Sequence, residues 1–436
     1  MKFLNGSIRT GLLLVAAVLA SCGGGGEENG DDPKIRLLNL SAGYSSLDMM
    51  TNLDSDDDDE DEEQIENVAL DAVSEYVTLD PDDYTIKLSR SGSGTVLRSF
   101  TGEELVEDTV NTYVAFGEVG QFGALRIDES LDDADAGEHK LQVANVSTAG
   151  SLDIYLTEAD TDLDDTTPVL SGASAAMSSL TVDSGTYRLR ATAPGDTDDV
   201  RLDVPNFALS DEGVSTLILT ATQGGMLANG VYLPQQGQPT KLNNTRARVR
   251  TAVALANGAA ATVQIDGRTV LTSATAGVIS SRYSIFDSGS RPVRLTVNGA
   301  VVTVPDIPLT AGADYTLMIW SNGAGPQTSL IEDDNRLPEG GSGLTKIRVL
   351  NGMSTLASPI TLSVDFSPVI EGTLTGQVSD PEEVTAGTDR QFDITNTSTA
   401  ALVLTRTSIT LQGNSVYTYF MTDNGATPVG VLRRDR

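Results

Sequence analysis

Four times along this chain, at intervals of about 100 residues, a short alternating segment opens a run of further alternating segments. The openings are residues 34–41 (KIRLLNLS), 140–147 (KLQVANVS), 248–253 (RVRTAV) and 346–352 (KIRVLNG). A sequence with this period folds as copies of one unit, and alternation of apolar and polar residues makes that unit a set of half-buried strands. A second strand follows each opening, at Ser46-Leu47-Asp48, Ser151-Leu152-Asp153, Thr262-Val263-Gln264 and Thr361-Leu362-Ser363. Strands after a mid-unit turn lie at 82–88, 184–190, 291–297 and 391–394, and closing strands at 111–117, 215–220, 314–320 and 416–421.

Short strands separated by Gly, Asn, Asp and Pro turns, in units of about 100 residues, have the size and texture of β-sandwiches. The predicted fold class is all-β: tandem immunoglobulin-like β-sandwich domains after a lipoprotein signal peptide. The spans are 1–21 for the signal peptide, 22–33 for a lipidated tether, and 34–131, 138–234, 245–335 and 344–436 for repeats 1 to 4. The stretches between repeats, Asp132 to Gly137, Gln235 to Asn244 and Asn335 to Gly343, are polar and read as uncovered boundaries.

The opening strand that ends in Asn, the Ser-Leu-Asp strand, the turn before Tyr187 and the Tyr-Thr-Leu closing strand together resemble the family called domain of unknown function 4397. The resemblance spans nearly all of residues 34–436 and is clearest in repeats 1, 2 and 4. Repeat 3 lacks the Asn after its opening strand. The resemblance implies tandem β-sandwich-like domains in secreted or lipid-anchored bacterial proteins, and it carries no catalytic residues.

Residues 1–22 have the order of an export signal. Lys2 and Arg9 are the charged region, Gly11 to Ala20 the apolar region, and Leu19-Ala20-Ser21 precede Cys22. The apolar run is too short for a permanent transmembrane helix. Leu-Ala-Ser-Cys resembles the bacterial lipobox, which implies a diacylglyceryl group on the Cys22 thiol and cleavage before it. Cys22 is the one cysteine in the chain, so no internal disulfide can form. The Gly-rich, acidic segment after it reads as a flexible tether. Gly23, where Asp would resemble an inner-membrane retention signal, points to the outer membrane, on its periplasmic or external face.

Charge is placed unevenly. The chain carries a net −33; residues 27–135 hold 30 acids against 6 bases, whereas residues 241–336 hold 7 acids against 9 bases. Such a chain repels phosphate backbones, which argues against nucleic acid as a partner. The near-neutral third repeat, with Arg246, Arg248, Arg291 and Arg294 read as exposed, is the expected contact for any acidic envelope polymer.

Most catalytic chemistries lack their residues. His139 is the one histidine, which removes multi-histidine metal sites and leaves a Ser-His-Asp triad a single candidate base. Its place just before a strand reads as a solvated or capping histidine. No phosphate-binding glycine loop occurs in a strand–helix context. Paired carboxylates remain the enzyme option that needs no histidine. Residues 54–63 are nine acids in ten positions, without the glycine of a calcium loop. Asp160, Asp162 and Asp164 alternate as weak calcium candidates, with Asp165 where the turn glycine belongs. Trp320 reads as a core or half-buried residue. The expected protein has no cofactor, is not an enzyme, and binds, adheres or scaffolds in the envelope. Its expected partners are the membrane, through Cys22, and an envelope protein or polysaccharide. The alternatives are a glycan- or small-molecule-binding module and a carboxylate-dependent hydrolase.

Overall fold

The computed structural model describes residues 30–54, 63–256, 258–322, 324–338, 341–356, 358–423 and 427–436. The signal peptide, Cys22 and residues 55–62 of the acidic run lie outside them. Every regular element among the described residues is a β-strand. The strands form four pairs of larger sheets, each pair enclosing its own apolar core, and a ninth, two-stranded sheet in repeat 3 pairs Gly289–Arg291 with Ile307–Leu309.

The four pairs share one plan. In repeat 1 the opening strand Lys34–Leu40 lies parallel to the closing strand Val110–Phe116, with Lys34 opposite Val110 and Arg36 opposite Thr112. The facing sheet joins Ser46–Leu53 to Glu63–Ala69 on one side and to Asp82–Arg90 on the other. Repeats 2, 3 and 4 set their opening strands parallel to their closing strands in the same way. Parallel neighbours cannot be joined by a hairpin, so the chain crosses to the facing sheet and back, as immunoglobulin-like sandwiches do.

The Ser-Leu-Asp motif stabilises a bulge. Register shifts opposite this strand in every repeat, and Asn67, Gly172, Ser273 and Gly372 occupy the shift with φ of 57°, 65°, 45° and 77°. The bulged amides need an acceptor. Asp48 takes that of Asn67 at 2.7 Å and Asp153 that of Gly172 at 2.8 Å. In repeat 3 the Thr262 hydroxyl accepts from the Ser273 amide at 3.1 Å.

The Asn that ends an opening strand ties one sheet to the other. Asn39 donates to Val68 O at 3.0 Å, Asn145 to Ala173 O at 3.0 Å and Asn351 to Thr373 O at 2.9 Å. Each side-chain oxygen accepts an amide two residues on, from Ser41, Ser147 and Met353. Val253 holds this place in repeat 3 and relies on backbone bonds to Gly277 and Val278.

The strands expected to be half-buried are covered on both faces. Ile35 and Leu37 enter the repeat 1 core, while Leu38 and Leu40 on the outer face meet Ile218, Val231 and Leu233 of repeat 2. Likewise Ala252, Ala254 and Met318 of repeat 3 meet Leu350 and Phe420 of repeat 4. Repeats thus pair sheet to sheet, 1 with 2 and 3 with 4. Trp320 lies half-buried in the second pairing, its indole nitrogen donating to Ser329 Oγ at 2.9 Å.

Each paired sheet buries an Arg–Thr–carboxylate set or its neutral counterpart. In repeat 1, Arg36 donates to Thr112 Oγ1 at 2.8 Å and to both Glu129 oxygens at 2.9 Å. The parallel register puts Arg250 beside Thr316 and Arg348 beside Thr418, with Asp333 and Asp435 as the acids. Repeat 2 has Gln142 beside Thr216 and Gln235 in the acid's place, bonded to Val214 and Leu131. Base and acid are both neutral there, so no buried charge is left unpaired.

The polar boundaries are largely exposed, as at Asp132, Asp133, Gly137, Gln238 and Asn243, but parts of them are built into the fold. Asn335 is fully buried and donates to Asp314 at 2.7 Å. Thr240–Leu242 is a strand paired with Ala228–Pro234. Side chains in these stretches also link repeats: Gln236 donates to Glu129 O at 3.0 Å, and Lys241 pairs with Asp71. The two pairs also touch: Gly224 donates its amide to Gly312 O, and Asn335 donates to Gly224 O.

Candidate functional site

A cleft of about 880 Å³ opens where repeats 2, 3 and 4 meet. Its walls are the strand Asp196–Leu209 of repeat 2, the opening strand Arg246–Ala254 and residues 281–287 of repeat 3, and the end of the last strand of repeat 4, Pro428–Arg434. Eight arginines and six aspartates line it, in a chain with 28 bases against 61 acids. The fold therefore gathers more than a quarter of all the basic residues at one place.

Several of these arginines are committed to the protein. Arg248 is a bidentate partner of Asp314, at 2.7 and 2.9 Å, and stacks on the Tyr283 ring with its guanidinium 4.4 Å from the centroid. Arg250 pairs with Asp333 and Asp435. Arg246 reaches Asp203 of repeat 2 at 2.7 Å, and Arg188 holds the Asp203 carboxyl below its usual range from the other side. Tyr283 donates to Asp333 at 2.6 Å, and burial beside that carboxylate raises its phenol well above 10, so it stays a donor.

Other cationic groups are not matched. Among the described residues Arg268 has no ion pair and is exposed, Arg433 donates only to the Ser281 carbonyl, and Arg434 bonds only the Gln412 side chain and the main-chain oxygen of Arg436. The aspartates are mostly taken: Asp199 by Arg201, Asp266 by Arg291, Asp287 by Arg246 and Asp196 by Arg282. Arg201 is buried, its Nε lacks a hydrogen-bond partner, and desolvation together with the Arg248 charge lowers its pKa.

A second cleft, of about 660 Å³, lies between repeats 1 and 2 and the segment leading to repeat 4. Leu40, Phe116, Val119 and Val231 supply apolar walls. Of its charges, Lys241 pairs with Asp71, Arg336 with Glu118 and Lys346 with Asp334, while Glu383 has no ion pair among the described residues.

Arg248 is 4% exposed and paired, so the reading of it as an exposed arginine is corrected; its strand is covered by its own core and by the neighbouring repeats. Arg246 and Arg291 are half-buried and paired, and Arg294 is exposed. Arg201, Arg268, Arg282, Arg433 and Arg434 come from distant segments that no sequence spacing links.

His139 is neither solvated nor a cap. It is fully buried on the strand Glu138–Asn145, with Nδ1 against Ser210 O at 2.8 Å and Nε2 against Ser215 Oγ at 2.7 Å. Gly213 makes the room, since a Cβ there would sit 2.7 Å from Nδ1. The Ser215–His139 pair has the bonding of a nucleophile and base, but Ser215 is 1% exposed and no substrate reaches it.

Asp160, Asp162 and Asp164 sit in a loop tied to the protein. Thr197 bonds Asp164, and Arg188 and Arg190 bond carbonyls of the loop. Among the described residues no group of three or more His, Cys, Asp or Glu side chains could hold a metal ion. The buried acids Asp333 and Asp435 do face each other across repeats 3 and 4, but each is bound by Arg250 and Arg348.

The sequence model of the family described as Domain of unknown function (DUF4397) matches residues 33–155 and 247–352, just over half of the chain. The matches begin at the opening strands of repeats 1 and 3, so repeat 3 is a member despite lacking the Asn. No curated protein matches the chain. Among solved structures, a crystal structure of CBMbc (family CBM26) from Eubacterium rectale Amy13K in complex with maltoheptaose is 10% identical, covers 43% of this chain and 91% of its own, and superposes with a TM-score of 0.16. A score that low carries no argument about fold or ligand.

Proposed function

The chain belongs to the DUF4397 family, and on that premise we propose that it is a non-enzymatic, lipid-anchored binding protein of the bacterial envelope, with its ligand held in the cleft shared by repeats 2, 3 and 4. The observation that carries this reading is that the cleft needs three repeats to exist. An array whose repeats served only as spacers has no need to fasten them at Asn335, Arg246 and Gly224. Here those fastenings fix the walls of one concave, polar surface, of the size common for ligand sites, roughly 300–1,000 Å³.

The anchor is part of the proposal. Acyl chains on Cys22 would hold the body at a membrane, each buried methylene adding about 0.8 kcal/mol. The proposal includes the absence of catalysis. It is supported by the buried state of His139 and by the arginine partners of Asp333 and Asp435.

Two measurements test the reading. Cys22→Ala should abolish acyl labelling and release the protein from the membrane fraction; continued labelling and sedimentation would refute the anchor. A photo-crosslinking residue at Ile285, in the cleft wall, should capture an envelope component in intact cells, whereas one at the exposed Val301 should not. Equal capture at both positions would refute the cleft as the binding surface.

A further inference from the structure

We propose that this cleft takes a compact ligand bearing two or more oxyanion groups, which Arg268, Arg433 and Arg434 receive. The inference rests on the reading above and names the ligand chemistry of the same cleft. Three observations carry it.

The first is the choice of base. Every basic residue lining the cleft is arginine, although the chain also has lysines. Guanidinium forks suit carboxylate, sulfate and phosphate oxygens, which they can grip with two parallel bonds.

The second is the pairing within the cleft. All but one of its aspartates are held by an arginine, Asp198 being the exception among the described residues. Arg268, Arg433 and Arg434 are left with no side-chain carboxylate among the described residues. Arg201 below them is buried, with one N–H unsatisfied and its charge opposed by that of Arg248. In a partly enclosed site such an excess is less screened than on an open surface, so an incoming anion gains more.

The third is the charge around the cleft. The chain as a whole carries −33 and repels a long polyanion. A ligand that fits within about 880 Å³ meets the arginines without lying across the acidic surface of the other repeats. The occupant is therefore short: an acidic oligosaccharide, a polycarboxylate or a small phosphate.

The test is calorimetric titration of the full-length chain in neutral detergent at low salt. The probes are trigalacturonate, citrate and pyrophosphate, with maltotriose as the neutral control. At least one anionic probe should bind, with affinity falling as salt rises, and maltotriose should not. The three anions separate a sugar acid from a small organic acid and from phosphate. Arg268→Gln/Arg433→Gln/Arg434→Gln should weaken binding at least tenfold without moving the unfolding midpoint. Should the triple variant fold poorly, Arg268→Gln alone serves, since its side chain is exposed and unpaired; it should weaken binding at least threefold. Unchanged affinity in a folded variant, or no binding by any anion, overturns the inference. Maltotriose binding in place of the anions would overturn the anion chemistry while leaving the cleft as a binding site. Failure of every probe together with no capture from Ile285 would remove both.

Discussion

Arg250 and Arg348 occupy the same position in consecutive repeats, and each forms ion pairs with both Asp333 and Asp435 across the interface of repeats 3 and 4. The side chains of the two arginines and two aspartates are all at most 3% exposed. Burial would lower both arginine pKa values, but the two carboxylates and Tyr283 raise them, and Arg250 and Arg348 hold Asp435 below its ordinary 3.8. The network fastens one repeat to the next.

Removing one member should cost more than removing a neutral pair. Arg348→Gln leaves buried carboxylates short of a cation, and losses of about 3–5 kcal/mol are usual for such a break. Arg348→Gln/Asp435→Gln installs the residues that repeat 2 carries at Gln142 and Gln235. The double variant should be more stable than Arg348→Gln in urea unfolding. A double variant at or below the stability of the single one would refute the matched-charge account.

Asn145→Ala should destabilise by about 1–3 kcal/mol, because the carbonyl of Ala173 and the amide of Ser147 lose their buried partner. Val253→Asn should give no matching gain, since backbone bonds already serve that place in repeat 3. Unfolding midpoints of the two variants check both statements.

His139 should make the fold sensitive to mild acid. Burial lowers its pKa below 6.5, so the unfolded chain takes up the proton first as pH falls. Its contribution is complete above about 6.5 and declines as pH drops from there toward the depressed folded value. His139→Gln keeps a polar group for Ser215 but cannot titrate. Its stability should change less between pH 7 and pH 5 than that of the parent, measured by thermal unfolding; identical slopes would remove His139 as the cause.

Gly376 and Gly372 allow a controlled comparison at the interface. Both have left-handed backbones, with φ of 82° and 77°, so alanine is strained at either. A Cβ on Gly376 would lie 2.4 Å from the Trp320 ring, whereas one on Gly372 meets nothing. Gly376→Ala should therefore lower the unfolding midpoint more than Gly372→Ala and shift the emission of the single tryptophan. Equal effects would show that backbone strain, not the Trp320 contact, fixes the glycine.

The sequence by itself determined the strands, their fourfold recurrence and the all-β class. Alternation is local, and Asp48, Asp153 and Asn145 act on backbone groups of their own repeat, so spacing alone exposes them. It also supplied the expectations about Cys22, which lies outside the described residues. What it could not supply was the second face of each opening strand. Arg36 and Leu38 stand on a face for which nothing local indicates that another repeat covers it. The cleft was hidden for the same reason. Arg201, Arg268 and Arg434 are far apart along the chain and become neighbours of one space only after repeats pair and the two pairs touch. The tertiary structure decided which arginines are spent on aspartates and which face the cleft, because long-range electrostatic pairing depends on distances that no period in the sequence encodes.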